Sequence, residues 1–310
     1  MLTPPPRARG AEWTARDSAV AVALAVLAAA AAGAYQIGFA PYVSPWDGDA
    51  SSYLQAARSL LRGEALLTTV GPGDTRPIHL WPPGYPALVA AVALTGMDVL
   101  RVAMLLMAAS VAALAPAVYW ALATTLGRPM AAAAAALCVS SLGILSYANA
   151  FGTEPFFLVL AVLALGCMAR AQFLAAGLLV GMSLAVRHTG MALLPALGVA
   201  VLLAGGHAER LRQATRAATG LAGPVAALLL WNVWAHGTVA PYAMPPSTRG
   251  LAAILADMGQ SLTFAAVPSV TVARTLPWAV ALGGVAGTAG AALAWALWAR
   301  GTPEARRGAR

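Results

Sequence analysis

Asp47 and Asp49 stand two residues apart in Ser44-Pro-Trp-Asp-Gly-Asp-Ala-Ser-Ser-Tyr53, an acidic segment that follows a long apolar run near the start of a 310-residue chain. A carboxylate held at a bilayer surface sheds part of its hydration, which raises its pKa and strengthens it as a base. Such a group can take a proton from a hydroxyl as that hydroxyl attacks an electrophilic carbon. Each acid also has a structural use. Asp49 falls near the start of an amphipathic segment, where an acid caps free backbone N–H groups, and Asp47 with Gly48 suits a turn.

Other chemistry-bearing residues recur where apolar runs begin or end. Glu154 heads one run beside Pro155 and could bind a sugar or share a divalent cation with the first loop; an acid there also offsets the helix dipole. Arg187 and His188 stand at the edge of another run. Arginine there can hold a phosphate and the charge left on it, or simply anchor the interface. Arg249 and Arg274 could do the same. Trp46, Trp81 and Tyr85 suit either a membrane-surface aromatic belt or sugar-binding platforms. Asp98 and Arg101 are spaced to pair at the head of a helix, and His79 reads as a loop residue.

The elements that must carry these groups are apolar. Hydrophobic residues make up 60% of the chain and charged residues 10%, with mean hydropathy +0.74. This composition marks an integral membrane protein, one domain over 1–310. All 19 basic residues are Arg, which excludes lysine-based Schiff-base or Walker chemistry. The net charge of +8 does not imply nucleic acid, because the arginines gather at the ends of apolar runs. Cys138 and Cys167 sit inside apolar runs without metal-ligand or disulfide spacing and read as small core residues.

Apolar runs cover roughly 18–39, 100–126, 129–148, 154–170, 172–186, 189–204, 217–235 and 276–299. The first is about 20 residues, enough to span, and reads as an uncleaved signal anchor instead of a cleaved signal peptide. The run 84–96 is shorter than the roughly 17 residues a crossing requires. If it does not cross, 12 of the 19 arginines face the cytoplasm; if it does, only 7 do. The positive-inside rule favours the first arrangement. The expected fold is therefore all-α, a bundle of about eight spans with both termini cytoplasmic. Residues 40–98 form a first external loop containing juxtamembrane helices, and 236–275 a later external loop.

Within those loops, 51–62 and 251–262 carry apolar stripes at helical spacing and read as surface helices. The alanine-rich stretch 130–136 suits close helix packing. The longest cytoplasmic loop, about 205–216, is short, and no glycine-rich phosphate loop follows a strand. A soluble nucleotide donor has no place to bind, so an activated substrate would arrive through the membrane lipid.

Asp49-Ala-Ser-Ser-Tyr53, then Ala56-Ala57-x-x-Leu60-x-x-Gly63, then Trp81-Pro-Pro-Gly-Tyr-Pro86 together resemble the first external loop of GT-C fold membrane glycosyltransferases. The likeness is strongest to the branch of protein O-mannosyltransferases and lipid A aminoarabinose transferases. Thr153-Glu154-Pro155-Phe156 resembles that family's second acidic loop, and Arg187-His-Thr-Gly190 its Arg-x-x-Gly element; the likeness spans about 18–204. It implies transfer of a sugar from a polyprenyl-phosphate carrier to an acceptor hydroxyl outside the cytoplasm, usually with inversion, in a bacterial plasma membrane. It further implies that Asp49, four residues before Tyr53, is the base, with Asp47, Glu154, Arg187, His188, Trp81 and Tyr85 around the substrate. Two departures stand out. Leu80-Trp81 replaces the acidic–Lys pair of the aminoarabinose branch, and family members are usually longer, so the resemblance implies nothing about the acceptor. The competing expectations are a transporter or flippase for lipid-linked sugars and a non-catalytic membrane scaffold.

Overall fold

The computed structural model describes residues 13–39, 48–71, 74–78, 81–140 and 152–239. Asp47, Trp46, His79, Arg249, Arg274, the surface helix expected over 251–262 and the span expected over 276–299 lie outside the described residues. The chain separates into two compact units, Met1–Val139 with Leu145–Ala243, and Ser140–Ile144 with Met244–Arg310. Apart from Ser140, the described residues belong to the first unit.

That unit is helical, as its composition requires. In chain order the elements are α1 (Ala15–Phe39), α2 (Gly48–Leu61), β1 (Leu67–Gly71), β2 (Asp74–Pro77), α3 (Gly84–Ala93), α4 (Val99–Ala123), α5 (Arg128–Ser140), α6 (Glu154–Ala169), α7 (Phe173–Val186), a 3-10 turn (His188–Ala192), α8 (Leu193–Leu202) and α9 (His207–His236). Among the described residues, three stretches are long and apolar enough to cross a membrane: Ala15–Ala34 in α1, Val99–Ala123 and His207–His236. The other apolar helices are shorter. With 16 and 14 residues, α6 and α7 are about 24 and 21 Å long at 1.5 Å per residue. Their ends match the apolar runs read from the sequence.

Two local readings change. The stretch expected as a loop over 205–216 is mostly helix, because α9 begins at His207 and reaches His236 without a break. Hydropathy rises only after Arg216, but helical pairing begins earlier: Arg212 and Gln213 both bond the Glu209 carboxylate, one turn away. The second change is a β-hairpin in the first loop, where only helices were expected. Its Thr- and Val-containing strands pair antiparallel, Thr68 opposite Arg76 and Thr69 opposite Thr75. Gly71 stands opposite Asp74 at the end of the ladder.

The hairpin is fastened to α2 through Ser59. The Leu67 N–H donates to Ser59 Oγ at 2.8 Å, and Ser59 Oγ donates to the Ala65 carbonyl at 2.6 Å. From the other side, His236 Nε2 donates to the Ile78 carbonyl at 3.1 Å, tying the end of α9 to the hairpin.

Lipid supplies no apolar driving force between helices, so close contact depends on small residues. Gly177 and Gly181 of α7 meet Ala217 and Pro224 of α9, and Gly220 of α9 meets the Leu174 carbonyl; a Cβ at any of these glycines would collide with its neighbour. In the same way, Ala131 and Ala135 of α5 are fully buried against Leu24 and Ala28 of α1 and Tyr119 of α4. The alanine-rich stretch thus lies in a helix contact.

A second buried cluster sits beneath the first loop. Tyr53, Leu54, Ala56 and Ala57 of α2 pack with Tyr85, Val89 and Ala90 of α3, Val99 and Val102 of α4, Leu160 of α6 and Val186 of α7. Tyr53, Leu54 and Ala57 belong to the helical stripe expected over 51–62, whereas Leu60 and Leu61, at its far end, are exposed. The loop helices are therefore seated on the bundle.

Candidate functional site

Three segments distant in sequence bring charge to one place above this cluster. The first is the start of α2, which carries Asp49 in its first turn and Tyr53 one turn later on the same face. The second is the start of α6, with Thr153 ahead of Glu154. The third is the end of α7, where Arg187 leaves the helix in an extended conformation, φ −148° and ψ 141°.

Glycine is what allows the close approach at the third segment. Gly190 folds back onto the last turn of α7, its N–H donating to the Arg187 carbonyl at 3.0 Å. A Cβ there would lie 2.7 Å from both the Leu184 nitrogen and the Ser183 carbonyl carbon. Gly84, in Trp81-Pro-Pro-Gly-Tyr-Pro86, seats the start of α3 against the same turn, and its Cβ would meet the Ala185 carbonyl oxygen at 2.5 Å. The glycines of Arg-x-x-Gly and of Pro-Pro-Gly-Tyr thus serve one purpose: they let backbone pack on backbone around Arg187.

The Arg187 guanidinium forms an ion pair with Glu154, the two side chains being 23% and 25% exposed. It also donates from Nη1 to Thr153 Oγ1 at 3.0 Å. Asp49 is close enough for both to act on it. Its carboxyl pKa is pushed up, first by desolvation and then by the negative charge of Glu154, while Arg187 pulls it back. The charge on Arg187 is shared with Glu154, so Asp49 keeps its raised basicity. Among the described residues the Asp49 carboxylate accepts no hydrogen bond, so the capping role open to it is not the one it fills.

The aromatic residues arrange themselves around Tyr53, which is 2% exposed. Its ring lies 5.5 Å from Tyr85, edge-on, and 6.4 Å from Trp81, tilted. Burial drives the Tyr53 hydroxyl pKa up, and the Thr153 hydroxyl beside it offsets part of that rise. Tyr85 also faces Phe156 of α6 at 6.4 Å. Its hydroxyl is buried and has no hydrogen-bond partner among the described residues.

Of the residues expected at a site, Asp49, Glu154 and Arg187 are brought together, with Trp81 and Tyr85 on the ring cluster below. His188 opens the 3-10 turn beside Arg187 and is half-buried. Asp98 does not act through its partner's side chain; it caps α4, accepting from the Leu100 and Arg101 N–H groups at 2.9 and 3.4 Å. Cys167 is buried in the packing of α6, as a small core residue should be.

The described residues alone do not make a divalent-cation site. Glu154 is engaged by Arg187, and among the described residues no three of His, Cys, Asp and Glu converge. Among the described residues it holds a carboxylate of raised pKa, without a hydrogen bond, within electrostatic reach of a paired glutamate and arginine.

One participant was missed in the sequence: Thr153, which joins Arg187 and lies against Tyr53 while fully buried. Its type and place, a threonine just before a helix, signal a cap and so conceal the role. No protein-family model, curated protein or solved structure matches the chain.

Proposed function

We propose that the chain is a membrane glycosyltransferase that moves a sugar from a polyprenyl-phosphate carrier to an acceptor hydroxyl at the outer face of the membrane, with inversion. One observation carries this reading: Asp49, Glu154 and Arg187, from three separate segments, share one electrostatic neighbourhood in which the Asp49 carboxyl is raised by desolvation.

In this chemistry Asp49 accepts the acceptor's O–H proton as the oxygen attacks the anomeric carbon. The bond from that carbon to the phosphate oxygen breaks, and its electron pair leaves on the phosphate. Arg187 neutralises the charge developing there, exchanging Glu154 for the phosphate as the donor binds. Glu154 then faces the sugar hydroxyls, with Trp81 and His188 as further substrate contacts. The donor's isoprenoid chain stays in lipid.

The proposed membrane arrangement is the eight-span one, with both termini cytoplasmic in a bacterial plasma membrane, residues 84–96 in the outer leaflet and the α2–β1–β2 segment outside. The exposed apolar side chains of α1 and α4, such as Val22, Val26, Met104 and Leu105, support contact with lipid.

The test is transfer from labelled polyprenyl-phosphate sugars by the purified chain in lipid. Asp49→Asn should abolish it; wild-type rates in that variant would remove the base and the mechanism with it. Full in vivo complementation by a variant lacking both Asp47 and Asp49 would favour a scaffold.

A further inference from the structure

A threonine directly ahead of a helix ordinarily turns its hydroxyl onto the N–H of the second or third helical residue, worth about 0.5–2 kcal/mol. Thr153 holds that position for α6 and caps nothing. Its backbone, φ −91° and ψ −7°, is right-handed helical instead of extended as a capping residue's would be. Pro155 has no N–H, so one of the donors a cap would serve is missing.

The hydroxyl has gone elsewhere. Thr153 is 0% exposed, its Oγ1 accepts from Arg187 Nη1 at 3.0 Å, and the Tyr53 hydroxyl lies beside it. It therefore touches the element that carries Asp49, the element that carries Glu154 and the residue between them. We propose that Thr153 is a positioning residue that fixes the Arg187 guanidinium in the site, forgoing the cap of its own helix to do so.

The difference between Thr153 and Glu154 explains why both are present. Glu154 is an anion, a quarter exposed, and competes directly with any anionic ligand for Arg187. Thr153 is neutral and buried, so its bond to Nη1 survives when Glu154 is displaced. The guanidinium stays aimed while its anionic partner changes. A guanidinium has five donors in a fixed plane, so holding one of them sets the direction of the rest.

The proposal rests on the glycosyl-transfer reading for its activity arm only. A double-mutant cycle in melting temperature, in detergent, needs no turnover. Thr153→Val keeps the shape and removes the acceptor; Arg187→Gln removes the charged fork. If Thr153 acts through Arg187, the double variant should melt no lower than Arg187→Gln alone, because coupled residues are not additive. Additive losses would mean that Thr153 only packs or caps, and would overturn the proposal. Should Thr153→Val not fold, Thr153→Cys fills the space with a weak acceptor and serves the same cycle.

In the transfer assay, kcat should fall roughly 10- to 100-fold in Thr153→Val, as expected of a misplaced catalytic group. Thr153→Ser, which restores the hydroxyl, should recover it to within about threefold. Serine failing to rescue would also overturn the proposal. Coupled melting in a wild-type chain that transfers no labelled sugar would support the hold of Thr153 on Arg187 while removing the glycosyltransferase reading.

Discussion

Two clusters in this molecule each set an aspartate near an arginine, and they are built on opposite terms. At the start of α1, Asp17 is 2% exposed and saturated. Its carboxylate accepts from the Thr14 N–H and hydroxyl at 2.8 and 2.6 Å, from the Tyr119 hydroxyl at 2.7 Å and from Arg128 Nη2 at 2.7 Å. At the start of α2, Asp49 accepts no hydrogen bond among the described residues and sits near an arginine that another acid has taken. One helix, α4, runs between them, with Val102 in the packing beneath the second cluster and Tyr119 in the first. The 17 residues from Val102 to Tyr119 set the two about 25 Å apart. A fully partnered carboxylate is a fastening. A partly desolvated one without a hydrogen bond among the described residues suits the base proposed above.

Exchanging carboxylate for amide at each cluster is the sharpest way to break this contrast. Asp49→Asn should lower transfer by about 10²- to 10⁴-fold, the usual worth of a general base, with the melting temperature unchanged or raised. Arg187→Gln should cost about 10²- to 10³-fold in kcat, as loss of one transition-state donor does. Asp17→Asn should do the reverse. It should lose about 1–3 kcal/mol of stability by denaturant titration, since it disturbs a buried, charge-assisted network, and keep turnover within about threefold. If Asp17→Asn destroyed activity while leaving stability intact, the division of labour would be wrong.

Smaller effects sharpen the same contrast. Removing the Tyr85 hydroxyl, which has no partner among the described residues, with Tyr85→Phe should raise stability by about 1 kcal/mol, because a buried hydroxyl without a partner is a cost. A simultaneous fall in transfer would show that the hydroxyl is kept for substrate. The pH dependence follows from the raised Asp49 pKa. The folded protein binds that proton more tightly than the unfolded chain, so stability falls as pH rises from the ordinary carboxylate range through the raised value. Transfer should rise across the same window, since the base must be ionised. Asp49→Asn should flatten both limbs.

Much of this was legible in the residues. The ends of α6 and α7 follow from where apolar runs stop, and the α2 stripe from Tyr53, Leu54, Ala57 and their polar neighbours. Asp49, Glu154 and Arg187 stood out as charges at the borders of apolar segments. Their convergence was not legible, because it depends on Gly84 and Gly190 admitting backbone contacts that no periodicity encodes. Asp17 was overlooked because an acid in a first helical turn already has an explanation, and Thr153 for the same reason. The hairpin escaped because its strands, five and four residues long, sit among stronger helical signals.

The terminal turn of α7 is gripped on one side by Gly84 and on the other by Gly190, main chain against main chain. Such a joint has no rotamers to re-sort and no methylenes to melt. Changes in acyl-chain fluidity or bilayer composition, which loosen a fit made of flexible side chains, should leave the setting of Arg187 nearly untouched. Over evolutionary drift the bundle can repaint its lipid-facing surface freely, provided those two positions stay bare.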